Sequence, residues 1–143
     1  FQGAGFLDAI YYGFSKDELF LRLDYLGRHK PYRKKWEFRL SFLHPGHARI
    51  EGIVEGASSS ARLYTRAPDK DEWEEGAAAV RIASEDCVEL AVPLQALGAI
   101  SSGEIRMFLS IDALEEGMER WPVKGMLVLS VPSENFDRED WYV

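Results

Sequence analysis

Cysteine, long apolar runs and secretion signals are scarce or missing in this chain. The 143 residues include one cysteine, Cys87, so no internal disulfide can form. This leaves the cellular compartment open and favours the cytoplasm. No apolar run approaches the roughly 20 residues that cross a bilayer, and no signal peptide is visible. We therefore expect no membrane partner.

Positive charge is also in deficit. The chain has 17 lysines and arginines against 24 aspartates and glutamates, for a net charge of -7 and a pI near 5.0. A nucleic-acid partner is not expected, because phosphate binding depends on a concentrated positive surface. One basic run, RHKPYRKK, occupies residues 28–35 between two strand-like segments. We expect a solvated loop there, with a patch for an anionic ligand as the alternative.

Alternation of apolar and polar side chains is what the sequence has in abundance. Hydrophobic residues make up 46% of the chain, which is enough for one domain with a sizeable core. Residues 9–25 predict a β-hairpin, because Leu19, Leu21, Leu23 and Tyr25 share one face of its second strand. A hairpin alone is marginal in water, so its apolar face requires a second sheet.

The same period of two predicts strands along the rest of the chain. They cover residues 36–42, 48–54, 62–65, 79–82, 87–92, 104–112 and 125–132. The last run is apolar on both faces and is predicted to be a central strand, while Pro45 and Gly46 predict a type II turn. A short helical connector is predicted over residues 93–98. About nine short strands without a long helix indicate an all-β fold, an antiparallel β-sandwich of the immunoglobulin or jelly-roll kind.

Several segments, taken in order, resemble a known family. They are IYYGF and LFLRLD at residues 10–14 and 19–24, ELAVP and LG at 89–93 and 97–98, ERWP and G at 119–122 and 125, and WYV at 141–143. Their order and spacing are similar to the C-terminal β-sandwich domain of glycoside hydrolase family 57 proteins, the α-amylase and amylopullulanase group. That domain is in turn similar to family 9 carbohydrate-binding modules and DOMON-like domains.

The resemblance implies an accessory domain rather than an enzyme. Its implied ligand is an α-glucan or another oligosaccharide, and its implied neighbour is the N-terminal catalytic domain of a longer glycoside hydrolase. We therefore expect residues 4–143 to form one C-terminal accessory domain, and residues 1–3 (FQG) to be the remnant of an expression tag. Two alternatives stay open: a structural sandwich that packs on the catalytic domain without a ligand, and a haem-binding DOMON-like module.

A sugar-binding site requires exposed aromatic faces with polar groups beside them. For each aromatic candidate the alternative is a ring that closes the end of the sandwich, and for Arg120 it is a structural ion pair or a stack on its neighbour. Two coplanar tryptophans lining one groove would favour a saccharide, whereas scattered or covered rings would favour scaffolding. The candidates are Trp73, Trp121, Arg120, Glu119, Tyr32 and Trp36.

No cofactor or metal is predicted, although calcium is kept as an alternative because sandwich modules of this kind sometimes hold it. Asp69, Asp71 and Glu72 offer oxygen ligands but lack the EF-hand spacing, so a solvated loop is expected there. Haem would need an axial histidine or methionine facing a pocket, and Met107 instead alternates with core positions. Glycoside hydrolysis needs two carboxylates across a cleft, and no stretch sets an isolated acid in an apolar pocket.

Overall fold

The computed structural model describes residues 5–133 and the backbone of residues 140–142. In this part of the chain the only helical segments are three short 3₁₀ turns at Gly27–His29, Leu94–Leu97 and Leu114–Glu116. The prediction of an all-β fold is confirmed. The strands are β1 (Leu7–Phe14), β2 (Glu18–Tyr25), β3 (Lys35–His44), β4 (His47–Glu55), β5 (Ser58–Arg66), β6 (Glu74–Glu75), β7 (Arg81–Ser84), β8 (Cys87–Pro93), β9 (Glu104–Asp112), β10 (Met118–Trp121), β11 (Leu127–Ser130) and β12 (Asp140–Tyr142).

The strands form two antiparallel sheets that pack together as a sandwich. The five-stranded sheet has the order β12, β1, β2, β8, β7. The seven-stranded sheet has the order β10, β9, β3, β4, β5, β6, and β11 pairs with β9 next to residues 104–107, whereas β10 pairs with residues 109–112. Two layers are needed because each sheet has one apolar face that must leave water.

The predicted hairpin is β1 and β2, and its apolar face lies in the core. Leu19, Leu21, Leu23 and Tyr25 are each at most 2% exposed. The Ser15 N–H donates to the Glu18 carbonyl across the turn at 3.0 Å. Strand β2 pairs with β8 on its other side, so the hairpin supplies the middle of the five-stranded sheet.

The seven-stranded sheet supplies the opposite half of the core. Its inward face consists of large apolar side chains, and burying one side chain of this size stabilises the fold by about 1.5–3 kcal/mol. Met107 is 1% exposed, which confirms the prediction that it is a core residue. The Phe38 ring fills the space that a Cβ on Gly52 would occupy, directly across the β3–β4 pair. The inward residues of β3 and β9 are Trp36, Phe38, Leu40, Phe42, Ile105, Met107, Leu109 and Ile111.

The ends of the sandwich are closed by local contacts. The Ser84 hydroxyl donates to the Gly56 carbonyl at 2.8 Å, which joins the end of β7 in one sheet to the β4–β5 turn in the other. The predicted connector is confirmed as the 3₁₀ turn Leu94–Leu97, and Gly98 follows it with a φ of 70°. A left-handed residue after a helical turn is the usual place for glycine.

Two local predictions are wrong. Strand β11, predicted to be central, pairs only with β9 in the described residues and leaves Val128 49% exposed. The chain does reverse at residues 45–46, but Gly46 lacks the positive φ of a type II turn and Pro45 follows a cis peptide bond. The two-residue β6 and the four-residue β10 were not predicted, because they are too short to show a period.

Candidate functional site

Two of the candidate rings lie in an aromatic cluster at one end of the sandwich. The Phe6 ring centroid is 4.8 Å from that of Tyr32, 5.0 Å from that of Trp36 and 5.5 Å from that of Tyr25, in edge-to-face arrangements. Trp36 has no exposed surface and Tyr32 is 7% exposed. The expectation that these two rings contact a sugar is therefore corrected, because neither presents a face to solvent. They close the end of the sandwich instead.

The polar atoms of this cluster are also buried. The Trp36 Nε1–H donates to the Tyr25 hydroxyl at 3.1 Å. Burial raises the pKa of Tyr25, and the hydrogen bond from Trp36 opposes part of that rise. The Tyr32 hydroxyl is buried without a hydrogen-bond partner in the described residues, and burial, followed by the nearby Glu116 carboxylate, raises the pKa of Tyr32. These phenols hold their protons at neutral pH.

Glu119 fastens one sheet to the other. Its Oε1 accepts the Phe6 N–H at 2.8 Å, and its Oε2 accepts the Leu7 N–H at 3.1 Å. The same Oε2 accepts the Trp121 indole N–H at 2.6 Å, and the Trp121 ring packs partly buried against the core. One carboxylate thus holds the start of β1 in the five-stranded sheet against β10 in the seven-stranded sheet. Glu119 and Trp121 are engaged in the fold itself.

Arg120 points to the other face of β10 and is likewise engaged by its own sheet. It lies opposite Ser110 in the β9–β10 register, on the outer face of the seven-stranded sheet. Its guanidinium carbon is 4.1 Å from the Phe108 ring centroid, and its Nη1 donates to the Pro122 carbonyl at 2.7 Å. This cation–π stack on a neighbouring strand is the structural alternative foreseen for Arg120.

Trp73 is in a different environment, on the outer face of the seven-stranded sheet. Its ring is half-buried and lies against two arginines of neighbouring strands, with the guanidinium carbon of Arg49 at 4.5 Å and that of Arg66 at 5.3 Å from its centroid. Arg49 is outward on β4 and stands opposite Tyr64 of β5. The acidic loop that carries Trp73 is thereby fixed onto a basic stretch of the sheet. We call Arg49, Tyr64, Arg66 and Trp73 the Trp73 stack.

Polar groups surround the Trp73 stack. Glu51 Oε2 lies 3.1 Å from Arg49 Nε and 3.0 Å from Arg39 Nη2, so one carboxylate forms ion pairs with two arginines. A groove of about 330 Å³ lies beside the stack, with Arg66 in its wall. Sequence reasoning singled out Trp73 but missed its arginines, because the β4–β5 register that brings them together has no local signal. The groove is lined by Thr65, Arg66, Ala67, Lys70, Glu72 and Glu74.

The basic run at residues 28–35 is mostly exposed to solvent, and two of its residues pair with an acidic 3₁₀ turn. Lys34 Nζ is 2.8 Å from Glu115 Oε2, and His29 Nε2 is 3.9 Å from Glu116 Oε1. The pairing raises the pKa of Lys34 and lowers the pKa of Glu115. The His29 side chain is 9% exposed and its ring lies 5.2 Å from that of Phe6. The prediction of a solvated loop therefore holds for most of the run, while His29 and Tyr32 pack against the fold.

The described residues contain neither a cluster of potential metal ligands nor a membrane-spanning helix. Within the residues that the structure describes, no group of three or more histidine, cysteine, aspartate or glutamate side chains is arranged to hold a metal ion. None of the described helical segments has the length and apolar character needed to span a bilayer. The fourth tryptophan, Trp141, belongs to the C-terminal segment whose side chains lie outside the described residues.

Comparison with known proteins gives no relative from which a site could be transferred. No protein-family model matches the chain, no curated protein matches its sequence, and no solved structure matches its fold. The candidate site is therefore defined by its own geometry.

Proposed function

We propose that this chain is a non-catalytic accessory domain that binds carbohydrate at the Trp73 stack, with an α-glucan as the expected ligand. The observation that carries the proposal is the position of Trp73. Trp36 is fully buried. Trp121 and Trp73 are both partly exposed, but the Trp121 ring packs against the core with its N–H bound to Glu119, whereas the Trp73 ring lies on the outer face of the sandwich.

The chemistry of the Trp73 stack suits a single sugar ring. The apolar face of a pyranose loses water against a flat aromatic ring, and nearby polar groups then fix its hydroxyls. Arg49 and Arg66 hold the indole in place, so little side-chain freedom is lost on binding. Lys70, Glu72 and Glu74 in the adjoining groove offer donors and acceptors for hydroxyl groups. The choice of an α-glucan and of a non-catalytic role rests on the family resemblance.

Calorimetric titration with maltoheptaose and glycogen tests this proposal. The wild-type chain should bind, and Trp73→Ala should weaken binding at least tenfold. Tyr11→Ala is the matched control, because Tyr11 is also stacked by an arginine, with Arg22 at 4.3 Å, but lies on the outer face of the other sheet. A folded wild-type sample that gives no heat at millimolar ligand would refute the proposal.

A structural role in a longer protein is the second candidate, and a separate observation favours it. Trp36, Trp73 and Trp121 do not line one groove. Rings that are scattered in this way are expected of a scaffold. Met118 is 79% exposed and Ile53 45% exposed, and both line a groove of about 450 Å³ on the outer face of the seven-stranded sheet. Exposed apolar groups that share a groove are typical of interdomain contacts.

The scaffold role predicts a dependence on the rest of the polypeptide. In a full-length protein of the implied kind, Met118→Glu with Ile53→Glu should lower the unfolding temperature of the whole protein but leave that of the isolated 143-residue chain unchanged. Equal behaviour of the two proteins would remove this candidate.

A further inference from the structure

The two arginines of the Trp73 stack make few ion pairs with carboxylates in the described residues. Arg66 has no carboxylate within ion-pair distance in the described residues, although it packs on the Trp73 ring. Arg49 has one, Glu51, but shares it with Arg39. Arg39 and Arg49 thus share one acid, and Arg66 has none within ion-pair distance in the described residues, in a chain whose net charge is -7.

By contrast, Arg62, which lies on the same strand (β5) and the same face as Arg66, has an acidic partner. Its Nη1 is 4.0 Å from Glu75 Oε1. Arg62 stands opposite Glu51, whereas Arg66 stands opposite His47 in the β4–β5 register. Of these two outward arginines of β5, the one beside Trp73 is the one without a carboxylate.

We propose that the saccharide bound at the Trp73 stack carries a negatively charged group, which Arg66 and Arg49 bind. This inference rests on the proposed carbohydrate function and names the chemical class of the ligand. A guanidinium group matches the oxygens of a phosphate ester, a sulfate ester or a uronate carboxylate with two parallel hydrogen bonds. Since both guanidinium carbons lie within 5.3 Å of the Trp73 ring centroid, an anionic substituent on a sugar that contacts this ring comes close to them.

The acidic residues of the adjoining groove fix the orientation. Glu72 and Glu74 line the groove together with Lys70, and both are exposed. Arg66 lines the same groove as these two carboxylates. Like charges repel at short range, so the anionic group should contact the guanidinium groups of Arg66 and Arg49, and the neutral hydroxyls should lie nearer Glu72 and Glu74. The stack therefore discriminates between the two ends of an acidic sugar unit.

Titration of the whole chain with matched ligands tests the inference. The ligands are maltoheptaose, maltoheptaose bearing a phosphate monoester, an oligogalacturonate of similar length, and inorganic phosphate alone. We expect at least tenfold tighter binding of one of the two acidic oligosaccharides than of maltoheptaose, with the advantage falling as salt is raised. The phosphate and carboxylate arms show which anion is preferred.

Two charge-removing variants distinguish recognition of the anion by Arg66 from the effect of the overall charge of the protein. Arg66→Gln should lower the affinity for the acidic ligand at least tenfold more than the affinity for maltoheptaose. Arg62→Gln removes the same charge from the same strand and should keep the preference. Equal binding of neutral and acidic ligands by the wild-type chain would overturn the inference while the carbohydrate function stands. Absence of binding to every saccharide, with or without binding of inorganic phosphate, would overturn both.

Discussion

Glu119 is a side chain whose loss should strongly destabilise the fold. It lies on a strand of one sheet and accepts two main-chain N–H groups from the start of β1 in the other, together with the Trp121 indole N–H, at distances of 2.6 to 3.1 Å. Glu119→Ala removes all three acceptor contacts at once. The donors are partly buried, so water replaces the carboxylate only in part.

The magnitude follows from the number and kind of these bonds. A hydrogen bond to a charged group contributes about 1.5–3 kcal/mol. Three such bonds, discounted because the site is partly solvated, predict a loss of about 3–5 kcal/mol in the free energy of unfolding. That is a large share of the roughly 5–15 kcal/mol that stabilises a typical domain. Glu119→Gln keeps one carbonyl acceptor and should lose about 1–3 kcal/mol.

Urea unfolding followed by far-ultraviolet circular dichroism measures these losses. Glu37→Ala is the control, because Glu37 is an exposed strand glutamate on β3, and its loss should stay within about 0.5 kcal/mol. Trp121→Phe removes only the indole bond and should cost about 1 kcal/mol. If Glu119→Ala were as stable as the Glu37→Ala control, the carboxylate would not be fastening the sheets, and the reasoning would be wrong.

Two further predictions concern the core. Gly52→Ala should destabilise the chain by about 1–3 kcal/mol in the same unfolding assay, because the new methyl group meets the Phe38 ring; a neutral effect would show that this ring is not held in place. Burial raises the pKa of Tyr25 and Tyr32. The folded chain therefore keeps phenol protons that the unfolded chain loses near pH 10. As a result, the free energy of unfolding should fall as the pH rises above about 10. Tyr25→Phe should flatten that fall, as measured by urea midpoints between pH 8 and 11, and an unchanged slope would contradict the assignment.

The alternation of apolar residues was enough to predict the hairpin and the long strands. Leu19, Leu21 and Leu23 fall on one face because the side chains of a strand alternate, and that face had to be buried. The same alternation places Trp36 on the same face of β3 as Phe38, so the pattern already predicted that Trp36 is buried. Its choice as a sugar contact gave too much weight to its place beside the basic run.

Other features depend on which strands become neighbours, and no local pattern carries that information. The apolar run around Val128 has a core face because β11 pairs with β9, yet it lies at an edge and its other face stays half-exposed. Glu119 meets Phe6 from 113 positions away along the chain. The Trp73 stack needs both the β4–β5 register and the path of the loop before β6, so Trp73 stood out as a residue while its partners did not.

The indole N–H signals of the tryptophans test the account most directly. In a ¹H–¹⁵N spectrum recorded during titration with phosphorylated and unmodified maltoheptaose, the Trp73 signal, assigned with Trp73→Phe, should shift on addition of the glucan. The Trp36 and Trp121 signals should stay in place, because their N–H groups are bound to Tyr25 and Glu119. A Trp73 signal that does not move at millimolar glucan would contradict the proposed site, as would a shift confined to Trp121.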